Sequence, residues 1–102
     1  MENVFNAVAD PTRRQILERL RAKGPLTIKD LAAPLPISRQ AVTKHLDILR
    51  ASGLIRMERV GRERLHSLVA DPLREVEDWL EPYAEEWDRR LKRLKQHLED
   101  KK

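Results

Sequence analysis

Arg39, Gln40, Thr43 and Lys44 lie close together in the stretch SRQAVTKHLDILRASGLI, residues 38–55. At helical periodicity they share one side, while Val42, Leu46 and Leu49 share the other. A guanidinium offers a planar fork of donors, a carboxamide both donates and accepts, a threonine adds a methyl, and an ammonium is a compact positive charge. That set suits non-covalent recognition of flat polar edges and anions. A polar helix face is most often simply solvated, so its place in the chain must decide between the two readings.

Composition removes other chemistries. The 102-residue chain contains no cysteine, which rules out disulfides, thiolate metal sites and thiol nucleophiles together. It has no glycine-rich phosphate loop and no Ser/His/Asp arrangement beyond coincidence, and the carboxylates of residues 71–88 read as a solvated helix face. An enzyme is not expected. With 40% hydrophobic and 37% charged residues, the chain can close one modest core, so a single domain is expected. No apolar run resembles a leader or approaches the roughly 20 residues of a membrane span, which makes a soluble cytoplasmic protein the default expectation.

Charge is unevenly placed. Residues 1–70 hold 13 Lys and Arg against 7 Asp and Glu, a net +6, whereas residues 71–102 hold 8 against 10. Within the second part, residues 71–88 carry −7 and residues 89–102 carry +5. A basic body points to a polyanionic partner, although charge alone does not identify one.

The elements that must position the polar face follow from caps and breakers. Val4, Phe5 and Val8 predict a short first helix. Asp10-Pro11 opens a second, with Ile16, Leu17 and Leu20 inward, and Gly24-Pro25 stops it. Thr27, with Asp30 three residues on, starts a short third helix that Pro34 and Pro36 end. Ser38 caps a fourth and Gly53 is placed to close it in a left-handed conformation. LIRMERV and ERLHSLV, separated by Gly61-Arg62, predict a hairpin with an irregular turn and a basic tip. Asp71-Pro72 repeats the helix-opening pair. Leu73, Val76, Leu80, Tyr83, Trp87, Leu91, Leu94 and Leu98 then recur at a mean spacing of about 3.6, the period of a straight helix. Pro82 falls inside this series, and a kink or brief break is expected there.

Four helices, a hairpin and a long helix, with a tight turn between helices three and four, outline a winged helix-turn-helix. ADPTRRQIL, ISRQAVTKHLDILRASGLI and GRERLHSL occur in this order, and together they resemble the second-helix opening, recognition helix and wing of the ArsR family of bacterial transcriptional repressors. The resemblance covers nearly the whole chain. It implies a mainly α fold with a small β-hairpin, made of a dimerisation helix at residues 1–9, a DNA-binding core and wing at 10–70, and a second dimerisation helix at 71–102.

On that reading Arg39 can pair with guanine, Gln40 with adenine, the Thr43 methyl with thymine, and Lys44 with the backbone. Ser38 can cap and also meet a phosphate. Arg62 and Arg64 can reach a minor groove. His45 lies between the exposed and buried faces, so a phosphate contact and a structural role stay equally open. Arg13 and Arg14 begin a helix whose positive end they do not complement, and an external phosphate backbone is the expected reason, above all for Arg13.

The resemblance also implies a homodimer through Val4, Phe5, Val8, Leu80, Tyr83, Trp87, Leu91, Leu94 and Leu98, with the acidic and basic blocks of two antiparallel copies opposed. Trp79 is left to widen that interface or to cover the wing. Many relatives sense metals, but the thiol-sensing branch carries cysteines where this chain has LTIKDLAA, and His97, His66 and His45 form no pair at ligand spacing. No metal and no cofactor are expected; the expected partners are double-stranded DNA and a second copy, with room for an unidentified small-molecule inducer. A winged helix serving only protein partners would be favoured by loss of the bases at 39, 44, 62 and 64, and all four are basic.

Overall fold

The computed structural model describes residues 3–100; residues 1, 2, 101 and 102, which belong to the two expected terminal segments, lie outside the described residues. The order is α1 (Val4–Ala9), α2 (Pro11–Lys23), α3 (Ile28–Ala32), α4 (Arg39–Ala51), β1 (Ile55–Val60), β2 (Glu63–Leu68) and α5 (Arg74–Asp100).

Each of the first four helices starts on a side-chain cap. Asn3 accepts from the Asn6 amide at 2.8 Å, Asp10 from Arg13 at 3.0 Å, Thr27 from Asp30 at 3.2 Å and Ser38 from Ala41 at 3.1 Å. Such caps contribute about 1 kcal/mol each. α4 ends at Gly53, φ +80°, where the Gly53 amide donates to Arg50 and the Leu54 amide to Leu49, both at 3.0 Å. This double bond pattern satisfies the last carbonyls of the helix and turns the chain into β1.

Ile16, Leu17 and Leu20 of α2, Leu31 of α3, and Val42, Leu46 and Leu49 of α4 meet with Ala7, Leu54 and Ile55 in one core. The apolar periodicity of each helix thus fixes its inward face. β1 and β2 pair antiparallel, Val60 opposite Glu63, across the two-residue loop Gly61-Arg62. Gly61 has φ +63°, the sign a type II′ turn needs at its first position, so the turn is a regular one rather than the irregular turn expected. Leu26 adds a further bridge on the other edge of β2: its amide donates to the His66 carbonyl at 3.0 Å and its carbonyl accepts from the His66 amide at 2.8 Å.

One expectation about the last helix changes, and of the kink or break expected at Pro82 the break is absent. Asp71 makes no side-chain cap bond; Asp71–Leu73 forms a single 3-10 turn and α5 follows from Arg74. Pro82 does not break α5, which runs through it without interruption to Asp100. Pro82 is on the exposed side, where water can satisfy the carbonyl four residues back that loses its donor. Among the described residues, no helix is long and apolar enough to cross a membrane.

Replacing Gly53 with alanine tests the α4 terminus. The added Cβ would sit 3.6 Å from Pro72 Cγ, an ordinary contact, so the cost is that of the left-handed backbone. Urea unfolding of Gly53→Ala should show a loss of about 1–2 kcal/mol with an unchanged slope; an unaltered midpoint would show that the turn does not need glycine.

Candidate nucleic-acid interface

α3 and α4 are joined by the turn at residues 33–38 and form a helix-turn-helix, with α4 as its second helix. Arg39, Gln40, Thr43 and Lys44 are all exposed on α4, opposite buried Val42, Leu46 and Leu49. Ser38 Oγ is engaged by the Ala41 amide. Thr43 Oγ1 donates to the Arg39 carbonyl at 2.9 Å, so its hydroxyl proton is committed, leaving its methyl and the oxygen's acceptor lone pairs to meet a partner. Further along the same helix, Arg50 reaches Met57 Sδ of β1 at 3.8 Å and Asp47 at 3.8 Å.

The hairpin is sorted by charge. Cross-strand neighbours share a face, so Met57 and His66, Arg59 and Arg64 lie on one side, and Glu58 and Leu65, Val60 and Glu63 on the other. Met57, Arg64 and His66 line a cleft of about 190 Å³ with Thr43, Asp47 and Arg50, which places the arginine face of the wing toward α4. Arg59 stands directly opposite Arg64, a like-charge pairing that costs stability in a sheet. Neither belongs to any ion pair among the described residues. A second hollow, about 360 Å³, brings Lys29 of α3 beside Arg62 and Arg64. Arg59 and Lys29 were not singled out by sequence reasoning. The separation of the strands by Gly61-Arg62 holds the signal for Arg59, because a regular two-residue turn there sets Arg59 opposite Arg64, whereas an irregular turn leaves the register open. Lys29 depends on the Leu26–His66 bridge, for which the sequence holds no local signal.

Arg13 is a correction. It is 9% exposed, and its guanidinium is used inside the protein. Nε donates to Ala7 O at 2.8 Å, Nη2 to Asn6 O at 2.9 Å, and Nη1 lies 3.3 Å from His45 Nδ1. Arg14 Nη1 donates to Val8 O at 2.8 Å and Ala9 O at 3.1 Å. The two arginines therefore complement the negative end of α1, and the missing anion of the sequence reading is a row of backbone carbonyls. His45 is half-buried between Arg13 and Asp10, whose Oδ2 is 4.0 Å from Nδ1. The backbone amide of Arg13 is the main reason the Asp10 carboxyl is held below its ordinary range, with the charges of His45 and Arg13 adding to it and burial opposing.

The expected dimer residues divide. Val4 is 5% exposed and packed inside its own protomer, so it is unavailable to a partner; Val8 packs partly against the same core. Phe5, Tyr83, Trp87, Leu91, Leu94 and Leu98 are exposed, Leu91 by 63%, and Leu80 is half-buried. Leu73, Val76, Leu80, Ala84 and Trp87 line an open groove of about 580 Å³ along α5. Trp79 stacks edge-to-face on Phe5, centroids 5.7 Å apart, and against Tyr83 at 5.6 Å, so it joins α5 to α1 and not to the wing. Among the described residues, no three His, Cys, Asp or Glu side chains gather as metal ligands would.

A helix-turn-helix followed by a hairpin, with bases exposed on its second helix and on the hairpin, is that of a winged-helix DNA-binding protein. The helix-turn-helix domain family matches residues 8–58. The transcriptional repressor SdpR of Bacillus subtilis (strain 168) is 35% identical over 91 residues, covering 89% of this chain and all of that protein. The solved structure of an ArsR-like transcriptional regulator from Rhodococcus sp. RHA1 is 42% identical with a TM-score of 0.67, covering 91% of this chain and 87% of that one. Another, of an ArsR family transcriptional regulator, is 40% identical with a TM-score of 0.70 over 82% of this chain and 86% of its own. The chain belongs to the ArsR family of winged helix-turn-helix transcriptional regulators, and it is a DNA-binding regulator rather than an enzyme.

His66, 3% exposed at the base of the wing, gives the interface a pH dependence. Its Nδ1 faces the Leu26 carbonyl at 3.2 Å; burial holds the imidazole below its ordinary 6.5, the carbonyl opposes this, and the Arg50 charge adds to it. A depressed histidine leaves the unfolded chain holding more protons, so the stability it confers is complete above about 6.5 and is lost as pH falls through the folded value. Urea midpoints should drop as pH goes from about 7.5 to about 5, and His66→Gln should flatten that slope; parallel slopes for the two proteins would assign the pH dependence elsewhere.

Proposed function

We propose that the chain is a homodimeric transcriptional repressor acting in the cytoplasm, where it occupies an imperfect inverted repeat in a promoter. The observation that carries the reading is that Arg39 and Lys44 of α4 and Arg59, Arg62 and Arg64 of the wing are all exposed, and among the described residues none of them is in an ion pair. Arg39 and Gln40 read base edges in the major groove, and the Thr43 methyl meets a thymine. Lys44, Lys29, Arg59 and Arg64 hold backbone phosphates, and Arg62, at the tip, enters the minor groove. Residues 10–70 form the DNA-binding part. The name of the similar SdpR protein supports repression.

The apolar stripe of α5 supports the dimer. Trp87, Leu91, Leu94 and Leu98 present far more apolar surface than isolated exposed residues would, and with Leu80, Tyr83 and Phe5 they offer a second copy a face continuous with α1. An antiparallel partner would set the acidic block against the basic one, which favours orientation more than stability. Two recognition helices then enter successive major grooves about 34 Å apart. An inducer, where one acts, is a small organic molecule or protein that favours the unbound form.

Binding of the purified protein to its own upstream DNA, with excess unrelated duplex and varied salt, tests the reading. Two chains per site should resist competitor. Arg39→Ala should lose about 1–3 kcal/mol of preference for the correct base, whereas Lys44→Ala and Arg59→Ala should weaken all sequences alike and lower the salt slope by about 1. Equal effects of Arg39→Ala on every duplex would remove its base-reading role. Leu94→Glu should shift sedimentation from dimer to monomer and abolish two-chain binding; an unchanged dimer would place the interface elsewhere.

A further inference from the structure

His45 and Arg13 together carry a step beyond the contacts just described. An arginine only donates, so the His45 Nδ1 that lies 3.3 Å from Arg13 Nη1 must be the acceptor, which puts the ring proton on Nε2. The competing tautomer would turn an Nδ1–H toward a guanidinium, with Asp10 Oδ2 4.0 Å away and too far to receive it. Among the described residues Nε2 has no hydrogen-bond partner, and the His45 side chain is 21% exposed. His45 follows Lys44 directly, at the border of the exposed face of α4.

We propose that Arg13 is a positioning residue for DNA binding: anchored on the α1 carbonyls, it fixes the tautomer and pose of His45 so that Nε2–H is a ready donor to a DNA backbone phosphate beside Lys44. The Ala7 and Asn6 carbonyls hold the guanidinium in place, which is why it can dictate the ring rather than follow it. The two roles left open for His45 are then both filled, one by each ring nitrogen. This rests on α4 lying in the groove.

The test uses the full chain. Imidazole nitrogen chemical shifts of the free protein at about pH 7.5 should report protonated Nε2 and bare Nδ1 for His45; a protonated Nδ1 overturns the proposal. His45→Asn keeps an acceptor where Nδ1 was but loses the outward donor, whereas His45→Gln keeps a group at the Nε2 position. Asn should fold with near-native stability and bind operator several-fold more weakly at every sequence, while Gln should recover most of that loss. Arg13→Gln, read only if circular dichroism shows it folded and sedimentation shows it assembled as the parent, should weaken binding similarly and add nothing to His45→Asn. Wild-type affinity in His45→Asn, or full additivity in the double variant, would overturn the proposal. Failure of the parent itself to bind any duplex in a random-sequence selection would instead overturn the groove reading beneath it.

Discussion

The last four carbonyls of α1 have nowhere to go within a six-residue helix. Their partners are two adjacent arginines of the next helix, which accept the whole burden of closing that end: Arg13 takes Asn6 and Ala7, Arg14 takes Val8 and Ala9. A helix this short is not stable alone. Fixed in this way, it seats Ala7 in the core and sets Phe5 against Trp79, and through that ring pair it places the start of α5. Because Asp10 caps α2 through the Arg13 amide while the Arg13 side chain reaches α4, one residue connects three helices that share few other polar ties.

Most of the fold could be read from local signals because they agree. The caps at Asp10, Thr27 and Ser38, the stops at Gly24 and Gly53, and the inward faces of α2 and α4 all lie where spacing placed them. The exposed face of α4 was legible for the same reason, since burying Val42, Leu46 and Leu49 leaves Arg39, Gln40, Thr43 and Lys44 outside. What was not legible depended on contacts distant in sequence. Arg13 looked like a surface cation because nothing local shows that α1 ends against it. Val4 and Phe5, neighbours on one apolar helix, separate into core and surface only when α2 and α5 are in place. Trp79 likewise needed the position of α1 to choose its neighbour.

The wing shows how surface charge and stability oppose each other in a small protein. An arginine facing an arginine across two strands is a poor choice for a hairpin, and the glutamates that could relieve it lie on the opposite face. The sheet is held at its base instead, by Ile55, by Leu68 and by the Leu26–His66 bridge, where a buried neutral histidine avoids adding another charge. Stability is concentrated where the hairpin joins the body, and charge is concentrated where it leaves.

Mechanically this arrangement is a cantilever. The Leu26 bridge clamps the hairpin at His66, opposite Met57, so the three residues of each strand beyond it give a free arm of about 10 Å that ends at the Gly61-Arg62 turn. A tilt of about 5° at the clamp displaces the tip by about 1 Å over that length, yet moves Met57 and His66 very little. The tip can therefore shift without disturbing the core, and its compliance is set by the bridge behind it rather than by the arginines it carries.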